Sequence, residues 1–126
     1  MEQMIDFFVD TNVLIYILEK HPASVVSQIS KFSLAISVIS EIELYGKKNI
    51  TQHEVDAIRE LLNDCEIIDF STTIKEITIS IKQKYNVKVP DAIIVATAKS
   101  FGLPLVTADI DLKKVLDADI VLLDLS

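Results

Sequence analysis

Residues 7–15 read FFVDTNVLI, an apolar strand-like run that ends at an acid and continues into a helix-like pattern. Parallel α/β proteins bind ligands in the crevice outside the carboxyl ends of their strands, and Asp10 would lie at such an end. A carboxylate is costly to bury there by itself, but it is useful if it holds a metal ion. Taken alone, Asp10 is better explained as a helix N-cap, because Asp is among the preferred cap residues. Thr11 and Asn12 could satisfy the backbone donors of the same turn and free the carboxylate.

Strand and helix patterns alternate along the whole chain, with no linker, repeat or low-complexity segment. Only two glycines and three prolines occur, so the loops must be short. The predicted strands are Met4–Val9, Leu34–Ser37, Ile67–Ile68, Leu105–Thr107 and Ile120–Leu123. The predicted helices are Thr11–Lys20, Ala23–Phe32, one that ends at about Tyr45 before Gly46, Thr51 to about Asn63, Thr73 to about Tyr85, Ala92–Phe101 and Leu112–Leu116. The helices from Thr51 and Thr73 begin with capping-box patterns.

Strands separated by helices predict an α/β fold in which a mainly parallel sheet is covered on both faces. We therefore expect a three-layer α/β/α sandwich with five strands, in a single domain that spans residues 1–126. The helix Ala92–Phe101 is apolar on almost every side, as expected for a helix packed inside such a sandwich. Periodicity does not predict the order of the strands.

Composition limits the class of protein. Half of the residues are hydrophobic and 25% are charged, which is ordinary for a globular domain. No apolar run approaches the roughly 18 residues of a membrane-spanning helix, and no secretory pattern is seen at the N-terminus. The single cysteine, Cys65, excludes an internal disulfide and suits a reducing cytosol, so we expect a cytoplasmic protein with no membrane partner. Cys65 itself is expected to be a small core residue.

The net charge of −7 argues against a nucleic-acid-binding module that uses a basic face. It does not exclude an enzyme that acts on nucleic acid. Metal ions could neutralise several of the acids and then attract phosphate themselves. The acidic balance therefore counts against simple binding more than against catalysis.

Glu43 is a second candidate acid, in the predicted helix before Gly46. Its structural alternatives are a capping box with Ser40 or an exposed helical position. Glu41 is two residues away and should face roughly the opposite side of the helix. Ile39 and Ile42 are predicted to share the buried stripe, with Glu43 at its edge.

Two further acids occupy comparable positions later in the chain. Asp91 begins the apolar helix, where the helix dipole favours an acid, and Lys88 is a poor fixed partner for it. Asp109 follows the strand that ends at Thr107, and a turn-forming Asp is its structural alternative. Asp111 is close enough in the sequence to compete with Asp109 for the same role.

The joint pattern is more informative than any single acid. Two unit charges about 4 Å apart repel by roughly 4 kcal/mol at an effective dielectric constant near 20. Four carboxylates gathered in one crevice therefore call for a cation such as Mg²⁺ or Mn²⁺, which prefers hard oxygen ligands. The histidines and the cysteine are scattered and match no zinc spacing, and no glycine-rich phosphate loop is present.

The chain resembles the PIN-domain family over its whole length, and within it the VapC-like toxin ribonucleases. The resemblance rests on four short motifs in the expected order: residues 9–15, VDTNVLI; 36–46, ISVISEIELYG; 89–98, VPDAIIVATA; and 103–109, LPLVTAD. It implies metal-binding catalytic acids at Asp10, Glu43, Asp91 and Asp109, the last of which varies most within the family. It also implies supporting polar residues at Asn12, Thr107, Thr11 and Ser37.

The resemblance implies a PIN-like five-stranded parallel sheet and endoribonuclease activity that depends on Mg²⁺ or Mn²⁺. It further implies a homodimer and a cognate antitoxin, and the apolar surface of the helices before Gly46 is where we expect both contacts. The first alternative is a PIN-type RNA-processing nuclease without an antitoxin. A receiver-like signalling domain also gathers acids at strand ends, with Asp69 as a weak phospho-acceptor, but no lysine follows the last strand. A degenerate, non-catalytic binding domain is disfavoured because all four acids are intact.

Overall fold

The computed structural model describes residues 4–124, and its elements alternate as the sequence predicts. The strands are β1 (Phe7–Val9), β2 (Leu34–Ser37), β3 (Cys65–Ile68), β4 (Leu105–Thr107) and β5 (Ile120–Leu122). The α-helices are α1 (Thr11–Glu19), α2 (Ala23–Ile29), α3 (Val38–Tyr45), α4 (Gln52–Asn63), α5 (Thr72–Lys84) and α6 (Val89–Ser100). A 3₁₀-helix, Ile110–Lys114, lies between β4 and β5.

All five strands pair in parallel, in the order β3-β2-β1-β4-β5. Phe8 in the central strand is paired with Ala35 of β2 on one side and with Leu105 of β4 on the other. The predicted five-stranded α/β fold is therefore confirmed, and the sheet is parallel throughout. The order also excludes the receiver alternative, because a receiver sheet places its first strand between the second and the third.

The sheet separates two hydrophobic cores. Side chains alternate across a strand, so Phe8 and Val9 point to opposite faces. Phe8 packs with α5 and α6, whose buried residues include Ile81 and Val95. Val9 packs with the helices of the other layer, where Leu14 of α1 and Leu62 of α4 are buried. These two cores explain why the strands are apolar on both faces.

Several local expectations are confirmed. The residue bounds of β2 and β4 are those predicted, and Gly46 is the C-cap of α3. The capping box of α4 is present, with Thr51 and Glu54 each bonding the other's backbone N–H. Cys65, expected in the core, is only half-buried at the start of β3, and its thiol donates to the carbonyl oxygen of Leu61 at 3.6 Å. Burial and the nearby Asp64 raise the pKa of this thiol to about 11, so it stays protonated at neutral pH.

Three expectations are wrong in detail. The N-cap of α5 is Ser71 rather than Thr73, because the Ser71 hydroxyl accepts from the Ile74 N–H at 3.1 Å. Ile42 is 59% exposed and does not share the buried face of α3, which carries Ser40 and Leu44. The predicted helix at residues 112–116 is a 3₁₀-helix that begins and ends two residues earlier.

Other predicted bounds are slightly too long. β1 begins at Phe7 instead of Met4, and α2 ends at Ile29 instead of Phe32. Helix and strand ends are weakly held, so a sequence pattern locates them less accurately than the element itself. Within residues 4–124, no helix has both the length and the apolar character needed to cross a membrane.

Candidate metal centre

The strand order places two of the candidate acids, Asp10 and Asp109, at one edge of the sheet. From β1 the chain continues to β2 on one side, whereas β4 and β5 lie on the other side. The carboxyl ends of β1 and β4 therefore form a switch point, where open parallel sheets bind ligands. Asp10 directly follows β1, and Asp109 comes two residues after the end of β4.

Asp10 is 5% exposed, and both of its carboxylate oxygens accept hydrogen bonds. Oδ1 accepts from the Val13 N–H at 3.1 Å, and Oδ2 accepts from the hydroxyl of Thr107. Asp10 is thus the N-cap of α1, and the expectation that Thr11 and Asn12 free it from that task is wrong. Each carboxylate oxygen has two lone pairs, so capping leaves acceptor capacity for a cation.

The electrostatic surroundings of Asp10 are unfavourable for its charge. Burial raises the pKa of this carboxyl, and the nearby charges of Asp91 and Asp109 add smaller upward contributions. The hydrogen bonds from Thr107 and Val13 act in the opposite direction. A bound cation would oppose the upward shift of the Asp10 pKa, because it favours the ionised carboxylate.

Thr107 connects two of the candidate acids. Its fully buried hydroxyl donates to Asp10 Oδ2 and accepts from the backbone N–H of Asp109 at 3.0 Å. These two bonds join the segments that follow β1 and β4, although Asp10 and Thr107 are 97 positions apart in the sequence. The orientation of Asp10 is therefore set from the neighbouring strand.

Glu43 is held by a chain of hydroxyl groups between α1 and α3. Thr11 Oγ1 donates to Glu43 Oε1 at 2.6 Å and is also bonded to Ser40 Oγ at 2.9 Å. A hydroxyl has one hydrogen, so Ser40 is the donor in the bond to Thr11. Ser40 is fully buried and was not among the supporting residues expected from the sequence. Its only signal there was a capping-box pattern with Glu43, which is wrong because Ser37 caps α3.

Asp91 lies in the first turn of α6 and is partly buried. Its pKa is raised, first by burial and then by the charges of Asp109 and Glu43, while Lys88 opposes the shift. Since Asp109 also acts on Asp10, the four candidate acids share one electrostatic environment. A cavity of about 400 Å³ opens beside Asp91 and is lined by residues Asn86, Val87, Lys88, Asp91, Asp109, Asp111, Leu112 and Lys114.

Asp109 and Asp111 have different surroundings. Asp109 is partly buried, influences both Asp10 and Asp91, and accepts from the Asp111 N–H at 3.0 Å as the cap of the 3₁₀-helix. Asp111 is exposed and forms an ion pair with Lys114 at 3.0 Å. Geometry therefore favours Asp109 over Asp111 as the fourth acid.

The two remaining supporting candidates contact none of the four acids through hydrogen bonds. Ser37 is buried at the end of β2, and its hydroxyl accepts from the Ile39 N–H at 3.1 Å. Asn12 is exposed, and its side chain forms no hydrogen bond within the described range 4–124. Ser37 therefore shapes the start of α3, and Asn12 faces the solvent near Asp10.

The donor set fits a hard divalent cation in its chemistry, because every candidate ligand is a carboxylate oxygen. Nevertheless, no three acidic, histidine or cysteine side chains between Met4 and Asp124 are grouped closely enough to hold an ion as they stand. The raised pKa values of Asp10 and Asp91 have repulsion among these acids as a contributing cause. A cation would reduce that repulsion and let the carboxylates approach one another.

The chain belongs to the PIN domain family, whose profile matches residues 7–117. A solved structure of VapBC2 from Rickettsia felis, bound to a DNA fragment from its promoter, contains a chain that is 25% identical, with a TM-score of 0.84. That match covers 96% of this chain and 100% of the other. A chain of a toxin–antitoxin complex from Klebsiella pneumoniae is 31% identical, with a TM-score of 0.76, and covers 91% of this chain and 95% of its own length. No curated protein sequence matched.

These relatives confirm the resemblance that the four motifs indicated. The protein is a VapC-like PIN domain, similar to chains found in toxin–antitoxin complexes.

Proposed function

We propose that the protein is a metal-dependent endoribonuclease, the toxin of a type II toxin–antitoxin pair. The observation that carries the proposal is the mutual electrostatic influence of Asp10, Glu43, Asp91 and Asp109 beside the switch point of a PIN domain. Raised pKa values caused by burial and by neighbouring charges are typical of functional sites. The toxin assignment rests on the toxin–antitoxin relatives and goes beyond the family itself.

Asp10 and Asp91 would be the principal ligands of a Mg²⁺ or Mn²⁺ ion, and Glu43 and Asp109 would complete or support the set. Such an ion supplies an activated water and positive charge at the scissile phosphate. Thr107 keeps Asp10 oriented, and Thr11 does the same for Glu43. No histidine base is needed, because a carboxylate that is not fully engaged can accept the proton of the water.

The test is cleavage of a mixed RNA panel in Mg²⁺ or Mn²⁺ by the wild type and by Asp10→Asn. We expect the wild type to cleave, EDTA to abolish cleavage, and the variant to lose it because a neutral amide is a poor ligand. Asp56→Asn is the matched control, since Asp56 is an exposed acid on α4 that contacts Gln52 and Arg59. Equal cleavage by Asp10→Asn, or cleavage in EDTA, would refute the metal-dependent mechanism.

A groove on the protein surface is the contact that we propose for the antitoxin. This groove of about 600 Å³ lies between α1, α3 and α4, with an apolar wall of Ile15, Leu18, Leu44 and Ile58. The acids on its rim are Glu19, Glu43 and Glu54, and Lys47 is paired with Glu54. An amphipathic segment with basic side chains would complement this groove, and its basic groups would reach Glu43 at the site.

Leu18→Glu tests this partner surface. Leu18 is half-buried in the groove wall, so an acid there should prevent a basic, amphipathic protein from co-purifying while RNA cleavage is retained. Leu116→Glu is the control, because Leu116 is 82% exposed and lies outside the groove. Retention of the partner by Leu18→Glu would argue against the groove. Consistent absence of any partner from native cells would favour the RNA-processing alternative.

Homodimerisation is also part of the proposal. Ile42 of α3 is 59% exposed, so the helices before Gly46 present an apolar side chain to a second copy. Sedimentation of the wild type and of Ile42→Glu would measure this contact. A monomeric wild type would remove the dimer from the proposal.

A further inference from the structure

The cavity beside Asp91 contains two cations as well as acids. An RNA phosphate that enters it meets a protein of net charge −7 and the carboxylates of Asp91, Asp109 and Asp111. A divalent ion would offset part of that charge at the scissile bond. It would not neutralise the flanking phosphates, which carry their own charges along the strand. Lys88 and Lys114 are the cavity residues of opposite sign.

These two lysines are not equivalent. Lys114 is 3.0 Å from Asp111 Oδ2, so its ammonium already has a carboxylate partner within the protein. The Lys88 side chain forms no hydrogen bond or ion pair with any residue in the described part of the chain. It acts on Asp91 only through space, by opposing the upward shift of the carboxyl's pKa. Lys88 is therefore the cavity cation available to a ligand.

The position of Lys88 suits an extended anion. It immediately precedes α6, and Asp91 stands three residues later in the first turn of that helix. A lysine ammonium is a point charge on a flexible stem with three donors, so it can follow a phosphate without a fixed geometry. A cation held by Asp91 would reduce the negative charge near Lys88 and leave its ammonium available to phosphate.

We propose that Lys88 binds a backbone phosphate of the RNA next to the cleaved bond and so positions the strand in the cavity. This inference rests on the proposed ribonuclease function. It assigns a substrate contact to a residue outside the four acids and their hydroxyl partners.

The test compares Lys88→Ala, Lys88→Arg and Lys31→Ala with the wild type, using labelled single-stranded RNA and fixed Mg²⁺ over a series of KCl concentrations. Lys31 is the matched control, since it is an exposed lysine three residues before β2, at the opposite edge of the sheet. For Lys88→Ala we expect kcat/KM to fall about 10-fold, mainly through KM, because a charge-assisted bond is lost. The slope of log(kcat/KM) against log[KCl] should become shallower by about 0.7, the value for one phosphate contact on a single strand.

Lys88→Arg should retain most of the activity and the wild-type slope, and Lys31→Ala should match the wild type. If Lys88→Ala behaves like Lys31→Ala, the phosphate contact is refuted. An unchanged salt slope with a lower kcat also refutes it, since that result would mean that Lys88 acts only through Asp91. Failure of the wild type to cleave RNA would overturn the ribonuclease function itself, an outcome distinct from the other two.

Discussion

Thr107, Thr11 and Ser40 are short, uncharged side chains, yet they set the orientation of two carboxylates. The hydroxyl of Thr107 bonds Asp10 and the backbone of Asp109, and Ser40 donates to Thr11, which donates to Glu43. Groups that orient metal ligands commonly matter almost as much as the ligands themselves. Replacing a single hydroxyl should therefore test this positioning role without changing any of the acids.

Thr107→Val removes that hydroxyl with little change in volume. Asp10 Oδ2 and the Asp109 N–H would both lose their partner, so we expect activity to fall by about 10- to 100-fold and the required Mg²⁺ concentration to rise. Thr107→Ser retains the hydroxyl and should keep most of the activity. Steady-state cleavage at several Mg²⁺ concentrations measures both effects, and thermal unfolding verifies that the variants are folded. A Thr107→Val protein with wild-type activity and Mg²⁺ requirement would contradict the positioning role.

Four of the six α-helices within residues 4–124 begin at a side-chain cap that is close to them in the sequence. Asp10, Ser37, Thr51 and Ser71 each accept a bond from a backbone N–H in the first turn that follows. In α4 the capping box is reinforced by Lys47, which bonds Glu54 from the loop after α3. This contact links α4 to the helix that carries Glu43 and forms part of the rim of the groove.

Glu54→Gln tests this junction through its dependence on pH. The bond from Lys47, followed by those from Thr51, lowers the pKa of Glu54 from 4.5 to about 2. A depressed folded-state pKa means that the carboxylate stabilises the fold above about pH 4.5 and that this contribution disappears as the pH falls towards 2. The difference in urea midpoint between the wild type and Glu54→Gln should therefore be constant above pH 4.5 and shrink below it. Glu60→Gln is the control on the same helix, and an equal pH profile for both variants would contradict the prediction.

The protein has a net charge of −7, and the strand order brings several acidic residues to one edge of the sheet. Burial raises the pKa of both Asp10 and Asp91, and neighbouring charges add to the shift, which is unfavourable for the ionised, folded protein. Functional sites commonly reduce stability in this way. The stability of the fold should then depend on whether a divalent ion is present.

Asp91→Asn tests whether the charge of Asp91 lowers the stability of the metal-free protein and is needed for stabilisation by Mg²⁺. Without a divalent ion the variant should unfold at a higher temperature than the wild type, because it removes one of the repelling charges near Asp10, Glu43 and Asp109. Added Mg²⁺ should stabilise the wild type, by about 2.7 kcal/mol at 100 times the dissociation constant, and stabilise the variant much less. Scanning calorimetry in EDTA and in Mg²⁺ measures both effects, with Asp56→Asn as the surface control. Equal Mg²⁺ stabilisation of the wild type and Asp91→Asn would contradict a site that includes Asp91.

Local sequence determined the element pattern, the α/β class and most helix starts, since periodicity, caps and turn residues act over a few positions. The resemblance of the motifs around Asp10, Glu43, Asp91 and Asp109 indicated the family, which the comparisons confirm. It could not show that Ser40 supports Thr11, that Thr107 reaches Asp10, or that Ile42 faces outward. Those features depend on the strand order and on which helix faces pack together. Only the tertiary structure decided them, because they join groups that are distant in the chain and have no local pattern in common.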